Sequence, residues 1–556
     1  MTSLTAAFRT PGVFLVALVA VAASAADPPA DYGTLVDRAV EAYRASKYEQ
    51  AIKLFESALN QTPSNPDILY SLSRSYEKAG RTDRAIVTGE RVLQLGFVRR
   101  PRMAYRLARL YAGSGNAEQA LEWLRRSLES RYEDRPSIAG DDSFASLREN
   151  PRFRRLAGML PAGELSRDDG WRFDLEYLVE EAQRMHVGPD RPAFSERFES
   201  QVRALRDAIP RLSDNQVLTG MMRLLAILGD GHSGIYGPGP DATLDFNSAS
   251  LPYKFYWFPE GLYVVDGVGE WAAHVGHRIV RFGELDAESV LQRMSEYRGV
   301  DNPMTWKWMG PQFYVGRLAM LKEVGATGSD ETVDVTLEAP DGRRFTETLP
   351  GGSHQHRRKL RPQADGEPPL YLSRVDTNFW IKPMPKVETL YFQFNQVRGS
   401  EDESIEAFAE RLHAALAADN VRTLIVDVRH NNGGNNTLVA PLIRTIVAFD
   451  MADPDHRIVV LTGRNTFSAA QSFINRLERW TDAEFAGEPS SSSPNFVGEE
   501  TNLLLPFSRV RGSISTRYWQ DSDPGDERAW IAMDIPVELR SKDYFTGRDP
   551  VLEALR

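Results

Sequence analysis

The chain has 556 residues, too many for one hydrophobic core, so two or three domains are expected. Its composition, 42% hydrophobic and 26% charged, is that of an ordinary globular protein. A net charge of -11, with no basic block longer than Arg99 to Arg102 or Arg357 to Lys359, argues against a nucleic-acid partner, and the absence of cysteine excludes disulfides, thiolate metal sites and a cysteine nucleophile.

Residues 1–25 read as a signal peptide: Arg9 precedes an apolar run from Gly12 to Ala22, and Ala23-Ser24-Ala25 is a small-residue cleavage site. A periplasmic or secreted location is the expectation. Residues 32–135 are helical and repetitive. Ala51-Ile52, Ala85-Ile86 and Ala120-Leu121 recur at steps of 34 and 35, Tyr76 and Tyr111 keep a similar spacing, and Gly80 and Gly115 fall in turns. This period resembles the tetratricopeptide repeat, whose helix pairs bury their apolar faces only by stacking. The resemblance implies an all-α array that can dock a partner protein or a peptide.

Residues 136–168 read as a cap and linker. Residues 169–248 are helical again, with Phe173, Tyr177 and Leu178, then Val217, Met221, Leu224 and Leu225, at helical spacing. His186 on this stretch reads as structural. The stretch ends in Leu228-Gly229-Asp230-Gly231-His232-Ser233, where a histidine stands in a glycine turn able to let its ring reach out. Residues 249–365 change to a strand pattern, with hairpins at Lys254–Phe258 with Gly261–Val268 and at Thr332–Glu338 with Arg344–Leu349, and read as a small β-rich domain. His274 and His277 have i, i+3 spacing without a third ligand nearby, so no metal site is expected.

Residues 366–556 alternate strands and helices from Thr389 to Ala486, the pattern of a largely parallel sheet covered by helices. Ligands bind beyond the carboxyl ends of such strands. Two loops fall there. One is His430-Asn431-Asn432-Gly433-Gly434-Asn435-Asn436, whose paired glycines can turn backbone amides toward an oxyanion. The other leads from the strand Ile458–Leu461 to Ser468, which opens a helix and so has unpaired amides and a partial positive charge beside it.

Five ordered segments carry a second resemblance: Leu228–Ser233 (LGDGHS), Leu424–Asn435 (LIVDVRHNNGGN), Thr466–Gln471 (TFSAAQ), Gly487–Glu499 (GEPSSSSPNFVGE) and Ala529–Leu552 (AWIAMDIPVELRSKDYFTGRDPVL). From about Asp169 onward the chain resembles the tail-specific, C-terminal-processing serine peptidases, in the branch that holds the tricorn core and the retinoid-binding-protein repeats. The resemblance implies an α/β peptidase with a mostly parallel sheet of the crotonase-like type, with Ser468 as nucleophile and His232 as general base. It further implies an oxyanion hole from Gly433 or Gly434 with the Ala469 amide. Another branch uses a lysine, but Gly487–Pro494 has four serines and no lysine. For the acidic partner, Glu527 is preferred over Asp526 and Glu499. No phosphate loop, dinucleotide fingerprint or clustered metal ligands are visible, so no cofactor is expected. The alternative is an inactive peptidase-fold protein that binds or scaffolds.

Overall fold

The computed structural model describes residues 31–187, 194–239, 241–242, 244, 246, 248–354, 359–364, 366–418 and 421–555. The expected signal segment lies outside them. No described helix is long and apolar enough to cross a membrane. The chain divides into two units, 1–127 and 128–556.

The first unit contains the helices Tyr32–Arg44, Tyr48–Gln61, Pro66–Lys78, Thr82–Gln94 and Arg100–Gly113 and most of Ala117–Glu129. Asn65 begins one of them, its side chain accepting the amides of Asp67 and Ile68 at 3.0 and 3.2 Å ahead of Pro66 at the first helical position. The recurring alanines Ala51, Ala85 and Ala120 are completely buried, because helices this close leave room for no more than a methyl group. Gly89 has less room still: an added Cβ would lie 2.3 Å from Met103 Cε. The repeat carries its own polar contact, Tyr76 to Glu56 at 2.5 Å and Tyr111 to Glu90 at 2.7 Å. Burial of side chains such as Phe55, Leu72 and Leu107 stabilises the stack by roughly 1.5–3 kcal/mol each.

The second unit is built on three sheets. One runs, in spatial order, Ile535–Pro536, Glu484–Gly487, Arg457–Thr462, Thr423–Asp427, Thr389–Phe394 and Phe379–Met384, all parallel except the last, an antiparallel edge. The helices Ile405–Ala418, Ala440–Ala452 and Ala469–Trp480 are its crossovers, as the alternating pattern predicts. Every residue of Thr389–Phe394 is buried, as expected of a strand covered on both faces. A second, antiparallel sheet joins Tyr253–Phe258, Gly261–Gly267, Arg278–Phe282, Thr332–Glu338 and Arg344–Pro350.

Two features depart from the sequence reading. Asn495–Leu504 and Val510–Gln520 form a long hairpin joined by Gly234–Pro238 into a third sheet. Its exposed positions interrupt any strict alternation, and its third strand comes from some 280 residues earlier. The β-rich stretch also holds helical segments, Pro303–Met309, Gly310–Tyr314 and Leu318–Glu323, too short for a 3.6-residue period to show.

Candidate active site

Ser468 sits where the strand Arg457–Thr462 hands over to the helix Ala469–Trp480. The handover is braced from inside: Thr466 donates its hydroxyl to the Val428 carbonyl at 2.9 Å and accepts the Gly463 amide at 3.1 Å. Ser468 occupies the N-cap position but makes no side-chain cap. Its φ is 57° and its ψ -124°, a combination that only glycine adopts without strain, at a cost of about 1–3 kcal/mol. A serine held there, at a sharp strand-to-helix turn, has its hydroxyl freed from capping.

The glycine loop closes on the same point. Gly433 and Gly434 have φ of 105° and 137°. A Cβ on Gly433 would stand 2.8 Å from Ser468 Cβ and 3.0 Å from the Ala469 nitrogen, so only glycine admits this approach. The Gly433 amide is engaged by Asn431 Oδ1 at 3.0 Å. Gly433 is buried, whereas Gly434 and Ala469 line the cleft described below. Of the two glycines weighed from the sequence, Gly434 is therefore the one exposed to the cleft.

His232 follows the helix Asp214–Ala226 through the turn at Gly229, whose φ is 74°. Its ring lies stacked between Phe467, 4.3 Å away at 22°, and Phe496, 5.8 Å away at 14°. Gly498 backs the ring so closely that a Cβ there would come within 3.2 Å of Cε1. Neither ring nitrogen makes a close hydrogen bond. Burial pushes the imidazole below its ordinary range, against the charges of Glu500 and Asp230. The lowered value favours the unprotonated ring at neutral pH.

Asp230 builds the turn that carries His232. Its Oδ1 accepts the amides of His232 and Ser233 at 2.9 and 2.6 Å and the Ser515 hydroxyl at 2.5 Å, while His186 Nε2 lies 3.1 Å from Oδ2. Burial alone would raise this carboxyl; the hydrogen bond and charge of His186, with those donors, hold it below the carboxylate range. His186 is thus a buried structural partner, in line with its sequence context.

Ser468, His232, Gly434 and Ala469 open onto one cleft of about 880 Å³, walled by Trp308, Phe467 and Phe496 and also lined by Glu499 and Glu500. The structure does not bring Glu527 there: it is exposed and outside the lining. Asp526 is taken up by Arg528 and Ser522, at 2.7 and 2.6 Å. The cleft carboxylates are instead Glu499, the third candidate weighed from the sequence, and Glu500, which was not weighed; both lie on the hairpin strand Asn495–Leu504, an element that the sequence reading did not contain. Asp230, Asn431 and Ser492 were likewise not singled out as site residues. Only Asp230 carried a local signal, a carboxylate two residues before a histidine in a glycine turn, able to accept the following amides. Among the described residues no group of three histidines or carboxylates could hold a metal ion.

No curated protein matches the sequence. Among solved structures, mature CPAF is similar at 13% identity over 68% of this chain and 95% of its own, with a TM-score of 0.48. The photosystem II D1 C-terminal processing protease is similar at 15% identity over 67% of this chain and 94% of its own, with a TM-score of 0.33. The Yersinia enterocolitica chaperone SycD, in complex with a peptide of the translocator YopD, matches 22% of this chain and 93% of its own at 19% identity, with a TM-score of 0.19. Family models for the tetratricopeptide repeat match residues 42–95 and 101–134. The helical segment ahead of the α/β unit is therefore an array of tetratricopeptide repeats.

Proposed function

We propose that the chain is an exported serine peptidase whose repeats dock a partner or substrate protein. The observation that carries this reading is the strained Ser468, opening onto the same cleft as a buried histidine whose pKa is lowered and as Gly434 and Ala469. His232 takes the proton from Ser468 as its oxygen attacks a peptide carbonyl; the amides of Gly434 and Ala469 receive the oxyanion. The protonated imidazole then gives its proton to the leaving amine, and water releases the acyl group by the same steps.

The test is labelling of the protein with a fluorophosphonate, read by mass spectrometry beside Ser468→Ala and His232→Ala. Label on Ser468 that vanishes in both variants is expected. A folded protein that takes no label replaces this reading with the binding or scaffolding one, and hydrolysis that survives Ser468→Ala moves the nucleophile elsewhere.

A further inference from the structure

The four serines Ser490–Ser493 have no part in the reaction above, yet Ser490, Ser491 and Ser492 are all but inaccessible. Buried hydroxyls need partners, and the partners here lie on two sides. Toward the nucleophile, the Ser468 amide donates to Ser492 Oγ at 3.1 Å and the Ser491 amide to the Thr466 carbonyl at 2.9 Å. Toward residues 301–305, Thr305 donates its hydroxyl to the Ser491 carbonyl at 2.7 Å, Asn302 its amide to the Ser490 carbonyl at 3.2 Å, and Ser493 its hydroxyl to the Asp301 carbonyl at 3.3 Å.

Asp301 completes the connection. Its Oδ1 accepts the amide of Gly231, the residue before His232, at 2.7 Å. Its Oδ2 is enclosed and makes no close hydrogen bond. A polar path thus runs from the Ser468 amide to the Ser492 hydroxyl, along the chain to the Ser493 hydroxyl on the Asp301 carbonyl, and from the Asp301 carboxyl to the Gly231 amide. The backbone at Ser468 is strained and relaxes unless its surroundings hold it. We propose that Ser492 and Asp301 are positioning residues that lock the Ser468 turn and the His232 turn into one frame.

The lock depends on charge: an ionised Asp301 is the stronger acceptor for the Gly231 amide. Burial, with the Asp230 charge, pushes the Asp301 carboxyl up to about 7, against the Gly231 amide and Arg298. The competent form therefore gains as pH rises through neutrality.

The inference rests on Ser468 and His232 acting together, and its test separates the two. Ser492→Ala is expected to slow fluorophosphonate labelling of Ser468 about tenfold, with KM for a peptide substrate changed less than about twofold, and Ser492→Thr, which keeps the hydroxyl, to restore it. Asp301→Asn removes the group near neutrality from the pH profile of labelling. Wild-type rates and an unchanged profile in Ser492→Ala and Asp301→Asn overturn the inference. Hydrogen exchange of peptides covering 229–235 and 464–472 reads the lock without catalysis. Faster exchange in both segments of Asp301→Asn supports it even if the wild type takes no label, an outcome that removes only the peptidase reading. Faster exchange in neither overturns it, whatever the label shows.

Discussion

Two serines of this chain have nearly the same positive φ, Ser46 at 58° in the repeat array and Ser468 at 57° in the α/β unit. Ser46 stands in the turn where the next two repeats have Gly80 and Gly115, with φ of 74° and 79°. It is exposed, and the turn it makes is the same with or without its side chain. Ser468 is held in its conformation by the Ser492 hydroxyl at its amide and by a glycine loop that leaves no room for a Cβ beside it. Strain at the first is a small imperfection of a repeat. Strain at the second is maintained by its neighbours, the circumstance in which strained residues cluster at functional sites.

The largest effect that can break this contrast is at Ser468 itself. Ser468→Ala and Ser468→Gly are both expected to lower turnover by about a thousandfold or more, yet to differ in stability. Alanine keeps the Cβ and the strain, whereas glycine releases about 1–3 kcal/mol, so a thermal melt should place Ser468→Gly above both alanine variant and wild type. Equal melting of the two variants would remove strain from the account. Next in size is Gly433→Ala, which places a methyl 2.8 Å from Ser468 Cβ at a φ of 105°. It should cost about 2 kcal/mol or more and reduce labelling of Ser468, and unchanged labelling would mean that the loop does not set the nucleophile.

The same contrast explains what could be read from the sequence. The repeat array was legible because its contacts are local and periodic: Ala51, Ala85 and Ala120 announce the same buried position three times. The parallel sheet was legible because each strand and crossover helix has its own period, and Ser468 and the glycine loop lie beyond the carboxyl ends of its strands. The hairpin Asn495–Leu504 with Val510–Gln520 was not legible, because its pairing with Gly234–Pro238 is distant and its strands expose residues on both faces. Glu500 and Ser492, on and just before that hairpin, went unseen with it. Glu527, chosen by spacing from a resemblance, is exposed because spacing does not report which way a loop faces.

A smaller effect distinguishes the carboxylates. Labelling requires neutral His232, and burial lowers its pKa, so the acid limb of the rate should lie below the ordinary imidazole range. Glu500 is the charge that raises it most. Glu500→Gln should therefore move that limb further toward acid, while Glu527→Gln leaves it in place. A limb that moves with Glu527 and not with Glu500 would return the acidic role to the residue suggested by spacing.

The smallest effect is at Ser46, where the three repeats supply their own control. The Ser46 amide reaches the Tyr43 carbonyl at 3.0 Å and the Lys47 amide the Ala42 carbonyl at 2.9 Å. Gly80 with Arg81, and Gly115 with Asn116, make the same pair of bonds, at 3.0 and 2.8 Å and at 3.0 and 2.9 Å. The backbone of this turn is thus complete without a side chain, and what Ser46 adds is an exposed contact with the Tyr48 hydroxyl at 3.2 Å. Ser46→Gly should therefore stabilise the array by about 0.5–1 kcal/mol, the left-handed penalty of a Cβ less the extra freedom of glycine in the unfolded chain, with labelling of Ser468 unchanged. If the melt instead falls, the hydroxyl contact outweighs the backbone, and a positive φ at a serine is no longer sufficient reason to look for chemistry beside it.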